Sequence, residues 1–126
     1  MMTEQELEAK IDSLNSDKRK LENKKADYDA MNRKLNSAIT SLTEAANKAA
    51  SASTALNQNY VSDGVSVNHQ KMANVSTRIN SQIDLLKQTI EKSNSQISSI
   101  NNRIRNINYD LERYRQELKQ LRYSTQ

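Results

Sequence analysis

The sequence predicts an all-α fold: a long antiparallel two-helix hairpin with coiled-coil packing and a central turn near Gly64. Three observations carry this. Apolar residues recur every seven positions through both halves of the chain. Helix breakers are almost missing, with one glycine and no proline in 126 residues. The one stretch rich in turn residues lies at the middle. Only 35% of residues are hydrophobic and 4% aromatic, too few bulky groups for a thick globular core. Without Gly and Pro the chain also lacks the punctuation of a many-stranded sheet.

Helix one is predicted over residues 3–57. Thr3 followed by Glu6 fits a capping box at its start. Leu7, Leu14, Leu21, Tyr28, Leu35, Leu42, Ala49 and Leu56 occupy the d positions of an unbroken heptad series. The a positions are mixed: Ile11, Lys18, Lys25, Asn32, Ile39, Ala46, Ser53 and Tyr60. Lys18 and Lys25 can lay their stems along this seam while their ammonium groups reach water.

A turn is predicted over 58–67, centred on Asp63-Gly64, because glycine accepts positive φ without steric cost. The β-branched Val61, Val65 and Val67 further weaken helix there. Ser66 or Asn68 can cap the second helix.

Helix two is predicted over 68–122. Its a series, Ser76 to Leu118, and its d series, Met72 to Leu121, are apolar except for Ser76 and Ser93. The seven-residue period implies a left-handed supercoil. Two registers bring a beside d across the hairpin. Leu35 faces Ile90 if the loop is tight around Gly64, and Ile97 if it is longer. The β-branched run before Asn68 favours the second.

A hairpin buries one stripe per helix, which leaves a chain of this size marginally stable alone. Alanines cluster on the turn-proximal half of helix one, where small side chains let another helix approach closely. Ile39, Leu42, Ala45, Ala46, Ala49, Ala52, Leu56 and Tyr60 are therefore the candidate partner-binding residues, with Asp63 and Gly64 forming the turn. Helix two carries mainly amides beside its seam, including Asn80, Asn94, Asn101 and Asn108, which suit a wetter interface in a larger bundle.

Catalytic and cofactor chemistry is not expected. There is no cysteine for a disulfide or thiolate metal site. The lone histidine, His69, has no nucleophile or orienting acid at its spacing in the sequence. No glycine-rich phosphate loop is present, and no cofactor or metal site is predicted. The net charge is +4, from 19 basic and 15 acidic residues. Arg103, Arg105, Arg113, Arg115, Lys119 and Arg122 make the last third basic, but acids interrupt it and no stacking platform accompanies it. Nucleic-acid binding is not expected. No apolar run approaches the roughly 18 residues of a membrane span, so a soluble, uninserted chain is expected.

The stretches Leu7 to Leu42 and Ile79 to Leu121, with Asn101-Asn102-Arg103-Ile104-Arg105 and the ending from Leu118 to Arg122, have a familiar plan. A charged, Leu-spaced, Lys-rich helix precedes an Asn/Ser/Gln/Ile-rich helix that runs into an Arg/Leu tail. This resembles the WXG-like small helical hairpins of Gram-positive type VII secretion, and most of all the YwqH-like accessory partners of LXG-domain toxins. In place of the Trp-x-Gly turn stand Ser62-Asp63-Gly64, so the glycine alone matches. The export signal of that system has a Tyr four residues before an acid. Tyr109 is followed at that distance by Arg113, and Tyr114 by Leu118. The resemblance implies a non-enzymatic, chaperone-like partner lying along the long helical N-terminal domain of a secreted toxin, with a second small helical protein as a further partner. It implies a cytoplasmic chain, or one co-secreted with its partner. The alternative from periodicity alone is a self-associating coiled-coil scaffold or spacer, homo-oligomeric by itself.

Overall fold

Thr3 starts the first helix. Its Oγ1 accepts the Glu6 N–H at 3.1 Å, and its carbonyl accepts the Leu7 N–H at 3.0 Å. The side chain thereby satisfies one of the amides that a helix leaves unpaired at its start, and the carbonyl takes the first i→i−4 bond of the helix. Glu4 and Glu6 lie in this first turn, where the helix dipole favours negative charge. In the computed structural model the described residues are 1–59 and 63–124, with side chains described for 1–55 and 68–124. They form two α-helices: α1, Glu4–Asn59, and α2, Asp63–Ser124. The two pack against each other as an all-α hairpin. At the far end, Ser124 Oγ donates to the Leu121 carbonyl at 2.9 Å.

The junction differs from the sequence expectation. α2 begins at Asp63, so Asp63 and Gly64 are its first two residues and not the centre of a turn reaching 67. No glycine among the described residues has positive φ. The reason is a small propensity penalty outweighed. Valine costs at most about 0.7 kcal/mol in a helix, while each residue added to a growing helix closes another backbone hydrogen bond. An acid at a helix start is also favourable. Residues 58 and 59, expected in the turn, likewise extend α1.

The chain divides into two compact units. The terminal unit joins Met1–Asp29 to Asn94–Gln126, and the turn-proximal unit is Ala30–Ser93. In the terminal unit Leu7, Leu21, Ile100, Leu111 and Leu118 are buried. All five are a or d residues, and burying each contributes about 1.5–3 kcal/mol. Lys18 and Lys25 are half-buried on this seam. Outside it, one guanidinium spans two carboxylates of α1. Arg122 Nε lies 2.7 Å from Glu4 Oε1, and its Nη2 lies 2.8 Å from Glu8 Oε1. These bonds, first the one to Glu4, hold the Arg122 pKa above its ordinary value.

The turn-proximal unit has a thinner seam. Among the described residues its buried apolar side chains are Ala46 and Ile83, joined by two buried serines, Ser53 and Ser93. Hydrogen bonds to backbone carbonyls cross between the helices here. Ser76 Oγ donates to the Ala46 carbonyl at 3.2 Å, and Ser53 Oγ to the His69 carbonyl at 3.1 Å. These contacts decide the register. With Leu35 level with Ile97, Ser53 would be level with Ile79, ten residues from His69 and about 15 Å along the axis. With Leu35 level with Ile90, Ser53 is level with Met72, within a turn of His69. The tight register is therefore the one adopted, and the early start of α2 explains it.

Candidate protein-binding face

Heptad geometry places the g position beside d on one flank of each helix, and an antiparallel pair sets the two g flanks next to each other. In the turn-proximal unit the g residues with described side chains are Met31, Ala38, Ala45 and Ala52 on α1, and Asn68, Val75, Gln82 and Thr89 on α2. None is charged. Beside them Leu85 is 54% exposed, Val75 42% and the d residue Met72 38%. Scattered surface apolar residues are ordinary; here they lie within an uncharged strip that runs over both helices, which makes this the candidate interaction surface. Thr89 lowers the polarity further, because its hydroxyl donates to the Leu85 carbonyl at 3.0 Å. The g flank of the terminal unit is different, with Lys10, Asp17, Lys24, Arg103, Asp110 and Glu117.

The sequence-predicted binding residues divide between this face and the seam. Ala45 and Ala52 are exposed on the face, and Leu42 and Ala49 are half-buried at its edge. Ile39 is a half-buried a residue, and Ala46 is buried within the hairpin with its carbonyl taken by Ser76. The side chains of Leu56 and Tyr60 lie outside the described residues. The α2 half of the face, Val75 and Leu85, is absent from the sequence-predicted set. A signal exists in the Leu85-Leu86 pair: a heptad seam can take only one of two adjacent leucines, so the other must project elsewhere.

His69 has a neighbour that its sequence surroundings do not reveal. Its Nδ1 lies 2.7 Å from both the Ser53 carbonyl oxygen and Ser53 Oγ. With the proton on Nδ1, the ring donates to Ser53 while Ser53 Oγ donates back to the His69 carbonyl, so Nδ1, the hydroxyl and both carbonyls are partnered. The other tautomer would set a ring lone pair against a carbonyl lone pair. The pair resembles a serine–histidine dyad in composition alone. Ser53 is 4% exposed, and with the proton on Nδ1 its hydroxyl donates to a carbonyl and the ring nitrogen beside it is a donor. In that tautomer the pair is an interhelical clasp.

Elsewhere the surface is shallow. An open depression of about 480 Å³ in the terminal unit is lined by Arg115, Leu118, Lys119, Arg122 and Tyr123. Among the described residues no three of His, Cys, Asp or Glu gather where a metal could sit. Among them, too, no helix is long and apolar enough to cross a membrane. Comparison with protein-family models, with curated proteins and with solved structures finds no match.

Proposed function

We propose that this chain is a non-enzymatic, protein-binding hairpin that lies along the helices of a larger partner and completes a bundle with them. The observation that carries the reading is the uncharged face of the turn-proximal unit, where Met72, Val75 and Leu85 are exposed beside a row of alanines. The thin seam beneath supports it, since among the described residues two of the four buried side chains there are serines. A helix laid on this face would bury apolar surface that the hairpin leaves in water.

The resemblance to the accessory partners of LXG-domain toxins supplies the partner class in this proposal. The hairpin would bind the helical N-terminal domain of a type VII-secreted toxin, keep that domain soluble and present it for export. Binding would stabilise the folded hairpin by mass action. The test is co-expression with the products of adjacent genes. A stoichiometric complex with a protein that begins in a long helical domain, lost on truncating that domain, supports the proposal. Failure of every neighbour to bind the chain would overturn the toxin-partner assignment.

A further inference from the structure

The rim of the uncharged face has one sign of charge. On α1 the residues one helical step outside it include Lys34 and Lys48, next to Ala38, Ala45 and Ala52 at spacings of three or four. On α2 that row is Lys71, Arg78, Leu85 and Lys92, similarly spaced from Val75, Gln82 and Thr89, so Leu85 widens the face between two cations. All five cations are exposed. The acids of the unit whose side chains are described, Glu44, Asp84 and Glu91, occupy b and f positions further round their helices, with Glu44 one turn before Lys48. The charged residues that border this uncharged strip on both edges are thus all cations, with Ser41 and Ala55 between and beside the two lysines on α1.

From this charge arrangement we infer that the face receives an amphipathic helix whose apolar stripe is flanked by glutamates or aspartates. The inference rests on the protein-binding reading above and specifies its partner's chemistry. A second copy of the chain is a poor occupant. A two-fold contact through this face would set Lys34, Lys48, Lys71, Arg78 and Lys92 against their own counterparts, positive on positive. A contact from this face to the Asp84 and Glu91 side of another copy would be head-to-tail, with no symmetry that closes it at two. An acidic-flanked helix satisfies both features together: its stripe covers Val75 and Leu85, and its flanks meet the rim. Alanine on the α1 side sets the approach, since it holds the incoming backbone closer than leucine would.

The experiment uses the whole chain and three labelled synthetic peptides of about 28 residues, well beyond the 12–15 at which isolated helices are marginal. One has leucine and alanine in its stripe and glutamate on its flanks. The second replaces those glutamates with lysine. The third keeps the glutamates but has serine throughout the stripe. Fluorescence anisotropy reads binding at low and high salt. The expected result is that the first peptide binds at least about tenfold more tightly than either of the others, and more weakly as salt screens the rim. Leu85→Gln, at an exposed site that leaves helicity intact, should weaken the first peptide about tenfold. Arg78→Glu with Lys92→Glu should shift preference toward the lysine-flanked peptide. Equal binding of the glutamate- and lysine-flanked peptides, still sensitive to Leu85→Gln, would overturn the acidic assignment while the helix-binding reading stands. Equal binding of the serine-striped peptide would mean simple polyanion attraction, and would overturn the inference. If neither striped peptide binds, the reading itself falls and the inference with it.

Discussion

Ser53 on α1 and His69 on α2 hold each other reciprocally: the serine hydroxyl donates to the histidine's carbonyl, and the histidine ring lies 2.7 Å from the serine's carbonyl. The two residues are remote in sequence, and each supplies both a side chain and a backbone group. Each of these bonds joins one side chain to the other residue's backbone, so either survives loss of the other side chain. Ser53→Ala and His69→Ala are each expected to cost about 1 kcal/mol. The double variant should cost close to their sum, since the Oγ–Nδ1 contact alone needs both side chains. Chemical denaturation of the four proteins measures this, and a double variant that costs no more than either single one would show that the two bonds form only together.

Ser93 should behave in the opposite way. It occupies a d position, is 2% exposed, and its Oγ has no hydrogen-bond partner. A buried hydroxyl without a partner carries its desolvation cost uncompensated. Ser93→Ala removes that cost and adds helix propensity. It should therefore stabilise the hairpin by about 1 kcal/mol, read as a higher denaturation midpoint. A lower midpoint would mean the hydroxyl is satisfied in solution.

Truncation should hurt the terminal unit most. Leu111 is 1% exposed and Leu7 2%, so Leu111→Ala should cost roughly 2–5 kcal/mol. For a hairpin with one seam that approaches the whole stability. Leu85→Ala removes a side chain that is more than half exposed and should change stability by less than about 0.5 kcal/mol. Thermal melts of the two variants would separate a residue of the core from a residue of the binding face. Similar losses would place Leu85 in the core.

Arg122 calls for salt, not pH, as the probe. Its raised pKa means that any linked stability is present below the ordinary arginine value and lost only at more alkaline pH, outside the working range of the protein. The ion pairs with Glu4 and Glu8 are exposed and so should be screened. Arg122→Ala should lower the melting temperature slightly in dilute buffer and not at all in concentrated salt. A deficit that persists at high salt would show that the arginine stem, not its charge, is what matters.

Much of the hairpin is legible in the heptads. Among the described residues every buried apolar one, from Leu7 to Leu118, stands at an a or d position, because a seven-residue repeat leaves one stripe to bury. Thr3 is legible because a cap is a local event. The start of α2 is not. Asp63-Gly64 and the nearby valines read as a breaker, yet their penalties are small beside the bonds that a continuing helix makes. The register is ambiguous in the sequence because both alternatives pair a with d, and contacts such as Ser76 to Ala46 depend on which is chosen. The candidate face is half legible. Alanines at g on α1 announce themselves by composition. Val75 and Leu85 become conspicuous only once the structure shows how little covers them.

The central claim is that the hairpin is an unfinished bundle whose open face does not pair with itself. Sedimentation of the purified chain over a wide concentration range, together with its thermal melt, tests this most directly. The account predicts a species near the 14.4 kDa of one chain, with a shallow, low-temperature melt that sharpens when a helical partner is supplied. A stable dimer or tetramer with a sharp melt in the absence of any partner would contradict it, and would make the chain a self-contained coiled-coil scaffold.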